Sequence, residues 1–379
     1  MKWVFFWFFM EISNLKLVNF RNYNKLNISL NSNMNIFIGN NASGKTNILE
    51  SIVLLAITKS HRFGNEDNLI KFGKEKAKIT CKVKDNKLIK ELSIEIDKNK
   101  KSFFVNKTRI NRLSNYISNL NIISFTPDDL SIIKSSPNIR RNTLNIQLSQ
   151  LSKKYLNTLN TYNRILKNRN EYLKMLFTNS ISDKSYFDIL TDKLIENAII
   201  IYKIRKEYID KINENINSIY KELTGDYKKL SINYINNANI KDFSDEGIRA
   251  SLSKIFKSNY YRELNTGMTL YGPHRDDFEF LIDSNNLKIF GSEGQQRIAI
   301  ISFKLSEIDI FNEILGTRPV LLFDDVFSEL DIKKRNRLLK FINHDIQSIV
   351  TTTDLKNINK RYIKDSYIFD VENGIVTRK

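Results

Sequence analysis

Apolar and polar positions alternate in short runs near the start of the chain. Leu15–Phe20, Leu26–Leu30 and Met34–Ile38 each predict a strand, and the third leads into a glycine-bearing loop followed by helical spacing from Thr46. A strand–loop–helix unit is expected there. Further runs at Lys78–Val83, Leu88–Ile96 and Ser102–Val105, with Asn106-Lys107 at a turn position, predict an antiparallel annex beside that first helix. Near Phe125 the pattern changes. Pro127 and Pro137 punctuate the chain, and from Asn138 to about Leu223 the residues Leu, Ile and Tyr recur at helical spacing with no Pro and no Gly. The apolar repeat is not sustained as heptads, which favours a lobe of several helices over a coiled coil. After Gly267 strand-like runs return at Phe278–Ile282, Pro319–Phe323, Ile346–Thr351 and Tyr367–Val371, interleaved with helical stretches at about Gln295–Leu315 and Lys333–Ile342. The expected fold is therefore α/β, a mixed sheet with an antiparallel annex, interrupted by an inserted α-helical lobe. The expected divisions are an extension at 1–9, the first part of the core at 10–135, the helical lobe at 136–265 and the completion of the core at 266–379.

Composition changes this picture in three places. With 379 residues and 41% hydrophobic content, the chain has enough apolar side chain for one large or two intermingled cores. Its single cysteine, Cys81, lies in a predicted strand; disulfides and thiolate zinc sites are out of reach, and a reducing, cytoplasmic setting is expected. Lys and Arg total 60 against 42 acids, a net charge of +18, which favours polyanionic partners such as nucleic acid. The crowding of Lys, Asn and Ile marks a compositional bias that weakens charge as a signal by itself. The opening MKWVFFWFF is too short to span a bilayer and carries no small-residue cleavage site. It reads as an extension foreign to the fold, ahead of a first strand with its own Met10; a membrane-surface anchor is the alternative.

Three motifs carry chemistry. Gly39-Asn40-Asn41-Ala42-Ser43-Gly44-Lys45-Thr46 fits the phosphate-binding loop G-x-x-x-x-G-K-[ST] and stands between a predicted strand and a predicted helix. Its glycines let backbone N–H groups and the helix N-terminus point at phosphate, Lys45 reaches the β- and γ-oxygens, and Thr46 offers a hydroxyl to magnesium. Pro319-Val320-Leu321-Leu322-Phe323-Asp324-Asp325 is an apolar strand ending in two acids, where a magnesium-holding carboxylate must emerge. Asp324 is assigned to the metal; by resemblance to ABC-type ATPases, which place a glutamate there to orient the attacking water, Asp325 is assigned to that water. Gly291-Ser292-Glu293-Gly294-Gln295-Gln296-Arg297 opens a long helix and forms a second anion-reading surface through Ser292, Gly294 and Gln295. ATP and Mg2+ are the expected cofactors. Ser328-Glu329-Leu330-Asp331 and Thr351-Thr352-Thr353 follow downstream.

In this order the motifs resemble ABC-type ATPase heads, and a longer set resembles the RecF family in particular. That set comprises Asn19-Phe20-Arg21-Asn22-Tyr23, Asn47 with Leu49-Glu50, Ser60-His61-Arg62, Thr126-Pro127-Asp128-Asp129-Leu130, Ser136-Pro137 with Arg140-Arg141, Arg164, Arg169-Asn170 and Gly272-Pro273-His274-Arg275-Asp276-Asp277. The resemblance covers nearly the whole chain from Met10. It implies a cytoplasmic ATP- and DNA-binding protein of recombinational repair and replication restart. It also implies an ATP-dependent homodimer in which the Ser292 motif of one copy reads the γ-phosphate held by the other. By resemblance such a protein works with RecO and RecR to place RecA at single-stranded gaps and gap junctions, with links to the SOS response. Asp325 stands where ABC-type heads place a glutamate, so slow hydrolysis is expected. Thr stands where they usually carry a switch His.

By resemblance the chain departs from the family pattern at Leu144-Asn145, where RecF relatives often have Leu-Asp, and it has no glutamine near Phe125–Pro127, where ABC-type heads often keep one. Arg21 is a candidate phosphate contact, with pairing to an acid as the alternative, and Arg62 is read the same way. His274 is read as a structural hydrogen-bonding node. Arg164, Lys167, Arg169, Lys203 and Arg205 are candidates for a DNA track, with a solvated helical face as the alternative. Two other readings stay open: a DNA-binding module with a structural nucleotide, and an ABC-type ATPase subunit of another system.

Overall fold

The computed structural model describes residues 9–60, 66–85, 88–98, 100–178, 180, 183–342, 346–355 and 360–379. His61, Arg62 and the extension up to residue 8 lie outside the described residues. The described strands are β1 (Glu11–Phe20), β2 (Tyr23–Ser29), β3 (Met34–Ile38), β4 (Lys76–Asp85), β5 (Leu88–Asp97), β6 (Lys100–Val105), β7 (Thr108–Ile110), β8 (Ile122–Phe125), β9 (Leu230–Ile235), β10 (Asp277–Ile282), β11 (Asn285–Asn286), β12 (Val320–Asp324), β13 (Ser348–Thr352), β14 (Tyr367–Glu372) and β15 (Ile375–Arg378). The chain forms two compact units. One takes in the chain up to Leu130, Ser218–Tyr227 and Ile300–Lys379, and the other Ser131–Asn217 and Lys228–Ala299.

The first unit is built on two six-stranded sheets, β15-β14-β3-β13-β12-β8 and β2-β1-β4-β5-β6-β7. In the former, β14, β3, β13, β12 and β8 run parallel and only β15 is antiparallel. β12 and β13 are buried along their whole length, as in strands covered on both faces, and β12 carries the continuous apolar run Val320–Phe323 expected of such a strand. The latter sheet is antiparallel throughout. In β4 the residues Ala77, Ile79, Cys81 and Val83 turn inward while Lys76, Lys78 and Lys82 face water, the period of two that a half-covered strand requires. Cys81 is fully buried, and desolvation pushes its thiol pKa up, so it behaves as a small apolar side chain. The helix Lys45–Ile57 is apolar nearly all round, with Ile48, Leu49, Ile52, Val53, Leu54 and Leu55 buried, because it packs against strands of both sheets. At the chain's start, Met10 is buried, its N–H donates to the Arg318 carbonyl at 3.1 Å, and Phe9 bridges to Arg318. Phe9, expected to belong to the extension, is thus tied to the fold.

The second unit contains the helices Pro137–Leu151, Lys153–Phe177, Asp245–Ser258 and Tyr260–Thr266 and most of Ser185–Thr224, with a small antiparallel sheet β11-β10-β9. Its helix ends follow local chemistry. Pro137 occupies the first turn, Ser152 accepts from the Tyr155 N–H, Ser244 accepts from the Gly247 N–H, and Gly267 closes Tyr260–Thr266 in the left-handed region.

The unit boundaries differ from those expected at 135 and 265. β10 pairs with β9 and not with the parallel sheet, which draws Lys228–Ala299 into the helical unit. The end of the long helix, Ser218–Tyr227, belongs to the first unit, where Arg337 Nη1 donates to the Leu223 carbonyl at 3.1 Å.

Candidate functional site

β3 delivers the loop 39–44 at the C-terminal end of the parallel sheet, the usual place for a ligand in an open α/β sheet. Two glycines are required by close approach. A Cβ at Gly39 would run into the Val371 carbonyl, and one at Gly44, whose φ is +114°, would meet the Tyr23 hydroxyl at 2.8 Å. Tyr23 donates to the Gly44 carbonyl at 3.0 Å, Asn22 Nδ2 to the Ser43 carbonyl at 3.2 Å, and Asn47 Nδ2 to Asn22 Oδ1 at 2.9 Å. Sequence reasoning noted Asn22 and Tyr23 only as part of a motif. Their work is to brace the loop from the β1–β2 turn.

Lys45 is buried, its ammonium curled into the loop with Nζ donating to the carbonyls of Gly39 at 2.6 Å and Asn40 at 2.9 Å. Burial lowers its pKa, while the charges of Asp325 and Asp324 oppose that shift. Thr46 Oγ1 donates to Asp324 Oδ1 at 3.0 Å, and Thr351 Oγ1 donates to the same oxygen at 2.8 Å. The parallel register places Asp324 beside Thr351 and Thr351 beside Phe37, so loop, acid and threonine come from three adjacent strands. Asp325 sits in the left-handed region with φ +53°, and its N–H reaches Thr351 Oγ1 at 3.1 Å. Burial raises the Asp325 pKa, its Oδ1 has no hydrogen-bond partner, and the same holds for Ser43 Oγ in the loop. Asp331 caps the helix Ile332–Phe341, accepting from the Lys334 N–H.

Among the described residues no group of three or more His, Cys, Asp or Glu could hold a metal. A phosphate-bridging magnesium needs no such cage, since one hydroxyl and one carboxylate with phosphate oxygens and water complete its shell. The Thr46–Asp324 pair fits that donor set.

Arg21 is placed differently from the expected phosphate contact. Its Nε and Nη2 grip the fully buried Glu50 of the loop's helix at 2.9 and 2.6 Å, and Nη1 donates to the Asn68 carbonyl at 2.9 Å. A bidentate pair to a buried carboxylate is a structural commitment, so the acid-pairing alternative describes Arg21. Beside it, Asn22, Asn47, Lys71 and Phe72 line an open cleft of about 840 Å³ with Arg21. After β8, Asp129 accepts from the Thr126 N–H at 2.7 Å and pairs with the buried Lys304 at 2.5 Å.

The Ser292 motif forms a reciprocal cap. Ser292 Oγ accepts from the Gln295 N–H at 3.3 Å, and Gln295 Oε1 accepts from the Ser292 N–H at 3.0 Å. Ser292 and Gly294 are exposed, and open space surrounds the position where a Gly294 Cβ would stand.

Within the Gly272–Asp277 block, Asp276 is buried at the polar centre of the second unit and Arg275 is exposed. Asp276 accepts from Tyr202 and Tyr234 hydroxyls and from the Asn237 N–H, with Arg205 at 3.7 Å. Arg205 donates to Tyr155 Oη, the Pro273 carbonyl and Asn145 Oδ1 at 3.0, 2.6 and 2.9 Å. Asn145 therefore serves as a neutral acceptor for Arg205 and Tyr155. His274 lies between Tyr162 Oη at 2.6 Å and the Thr269 carbonyl at 3.1 Å. Since a carbonyl only accepts, Nε2 carries the proton and Nδ1 accepts from Tyr162. Burial lowers the ring's pKa to about 4, so it is a neutral structural node, as expected. Arg169 donates to Thr191, Thr269 and Glu263 at 3.0, 2.7 and 2.8 Å. Arg169 and Arg205 are thus internal struts and not part of a DNA track. Lys203 is exposed and paired with Asp245, while Arg164 and Lys167 are exposed.

Among the described residues no helix is long and apolar enough to cross a membrane. The family model for the RecF/RecN/SMC N terminal domain matches residues 11–377. The chain is 38% identical over 374 residues to the DNA replication and repair protein RecF of Lactobacillus johnsonii, covering 98% of this chain and 100% of the relative. It is 39% identical over 369 residues to RecF of Listeria monocytogenes, covering 97% and 100%. A solved structure described as the recombination mediator protein RecF-ATP in the RecFOR pathway superposes with a TM-score of 0.91 at 30% identity, covering 99% of each chain. The braced phosphate loop, the acid-tipped neighbouring strand and these full-length matches together establish that the chain belongs to the RecF family of DNA replication and repair proteins, with the ABC-type head fold of the RecF/RecN/SMC group.

Proposed function

We propose that this chain binds ATP with Mg2+ at the loop 39–46 and uses it to pair with a second copy on DNA during recombinational repair. The observation that carries the reading is the meeting of Thr46 Oγ1 with Asp324 Oδ1 at 3.0 Å beside the buried Lys45. Gly39, Asn40, Asn41, Ala42, Ser43 and Gly44 wrap phosphates with backbone N–H groups, and Lys45 neutralises the β- and γ-oxygens. Thr46 and Asp324 hold the metal, which when bound supplies positive charge to the phosphate oxygens. The cleft lined by Asn22, Asn47 and Phe72 takes the nucleoside. Asp325, held by its backbone against Thr351, orients the attacking water. Its short side chain makes turnover slow.

The exposed Ser292 and Gly294 of a second copy complete the shell around the γ-phosphate, so ATP acts as the join in a two-fold pair. Paired copies hold DNA through phosphate contacts at gaps and junctions, and assist RecA loading together with RecO and RecR in a cytoplasmic setting. The reading as a subunit of another ABC system is not supported, since the relatives matched over their full length are repair proteins.

The test is fluorescence anisotropy of a gapped duplex with ATP, ADP or no nucleotide, for the native chain and Lys45→Ala. ATP is expected to tighten binding at least about tenfold in the native chain alone, with affinity falling log-linearly with salt. Equal affinity under all three conditions would overturn the switch and leave a DNA-binding module with a structural nucleotide.

A further inference from the structure

A second cleft, of about 570 Å³, lies wholly within the helical unit. It opens between the first turns of the helix Ser185–Thr224 and the end of Asp245–Ser258 with the following Tyr260–Thr266. Its floor is the guanidinium of Arg169, held 4.6 Å from the centre of the Phe187 ring and 4.7 Å from that of Phe256. Glu263, at 2.8 Å, matches the Arg169 charge, so the floor is aromatic and nearly neutral. The wall is a tyrosine pair. Tyr260 meets Phe187 edge-on at 5.7 Å and Tyr261 at 5.4 Å, and Tyr261 is 75% exposed. An aromatic ring left in water beside an open cleft offers a stacking face without a protein partner on it.

The charges around the cleft narrow the ligand. Lys184, with Nζ 5.0 Å from the Tyr260 ring centre, and Lys257 bring cations from separate elements, while Asp188 and Asp192 follow Lys184 one and two turns along the same helix. Cations with stacking faces suit a phosphate-linked base, and carboxylates accept from its amino edge. The two carboxylates disfavour an acidic peptide. Bases in duplex are already stacked and paired and cannot enter.

We propose that this cleft receives an unstacked base of single-stranded DNA. The base stacks on Tyr261, whose ring stands at 69° to that of Tyr260, its amino edge meets Asp188 or Asp192, and the flanking phosphates meet Lys184 and Lys257. The identity of the ligand rests on the reading that this chain holds DNA, but the site is separate from the phosphate loop and nothing about it depends on ATP.

The test uses the full chain and an oligonucleotide with one 2-aminopurine, read by anisotropy and by quenching of the base on stacking, with a duplex of the same sequence alongside. Tyr261→Ala is expected to weaken single-strand binding about tenfold and abolish the quenching. Tyr261→Phe retains both, and duplex affinity stays within about twofold for each variant. Tyr261 is largely exposed, so its removal leaves the core intact. Single-strand binding unchanged in Tyr261→Ala, or an equal loss for single strand and duplex, overturns the proposal. Displacement of the oligonucleotide by micromolar dCMP also overturns it, in favour of a mononucleotide site. Quenching that Tyr261→Ala leaves intact also overturns it, since the base then stacks elsewhere. A chain that binds duplex normally while failing these arms refutes the cleft alone, and a chain that binds no DNA refutes the DNA reading with it.

Discussion

Two of the buried charged clusters among the described residues, one around Lys45 and Asp324 and the other around Arg205 and Asp276, are satisfied in opposite ways. In the helical unit Asp276 is surrounded by donors, and Arg205 spends its guanidinium on Tyr155, Pro273 and Asn145. Burial drives the Asp276 carboxyl up to about 6 against the pull of Arg205 and its hydrogen bonds, the signature of a charge held inside for structure. At the phosphate loop the groups are left partly unmatched. Asp325 Oδ1 and Ser43 Oγ have no hydrogen-bond partner, Asp325 and Ala42 hold left-handed backbone, and Lys45 reaches only carbonyls of its own loop. A network that closes on itself stabilises, whereas one that leaves donors and acceptors open is built to meet a ligand.

The comparison breaks first at Arg205. Arg205→Ala strands Asp276 and is expected to cost about 3–5 kcal/mol in urea unfolding, while the folded fraction keeps its ATP affinity. If stability is retained, the hub is not a structural network. Asp324→Asn should do the reverse. Phosphate release is expected to fall by up to about 1000-fold, or about 4 kcal/mol, with the unfolding midpoint barely moved. Turnover near that of the native chain would remove Asp324 from the metal site.

A smaller effect separates the regions by pH. The His274 pKa lies near 4, below the unfolded value of about 6.5, so its contribution is fully present above pH 6.5 and is lost as pH falls towards 4. Asp276, raised to about 6, titrates in the opposite sense over an overlapping range, so the comparison of native chain with His274→Gln isolates the imidazole. The difference in stability between the two is expected to change by about 3 kcal/mol between pH 7 and pH 4. A constant offset across that range would mean that His274 is not held neutral.

The phosphate loop, the acid-tipped strand and the Ser292 cap were legible in sequence because each is a local segment whose spacing its geometry demands. Thr351 was legible as a motif position, but its bond to Asp324 depends on β13 lying next to β12, which periodicity does not reveal. Arg21 shows the same limit from the other side. A basic residue near a phosphate loop suits phosphate until Glu50, on the next helix, is seen to hold it. Arg169 and Arg205 read as surface charges at helical spacing, and only the packing of distant Glu263 and Asp276 explains their burial. The small sheet was hidden because β9 is a short strand whose partner β10 lies some forty residues on. That pairing also moved the unit boundary.

Under the proposed function, nucleoside triphosphate joins two copies through Ser292. Sedimentation velocity with Mg2+ and ATP, ADP or neither, for the native chain and Ser292→Arg, tests it most directly. A dimer with ATP alone, absent in Ser292→Arg while that variant still binds ATP, is the predicted result. An association state indifferent to nucleotide, or a Ser292→Arg variant that pairs like the native chain, would contradict it.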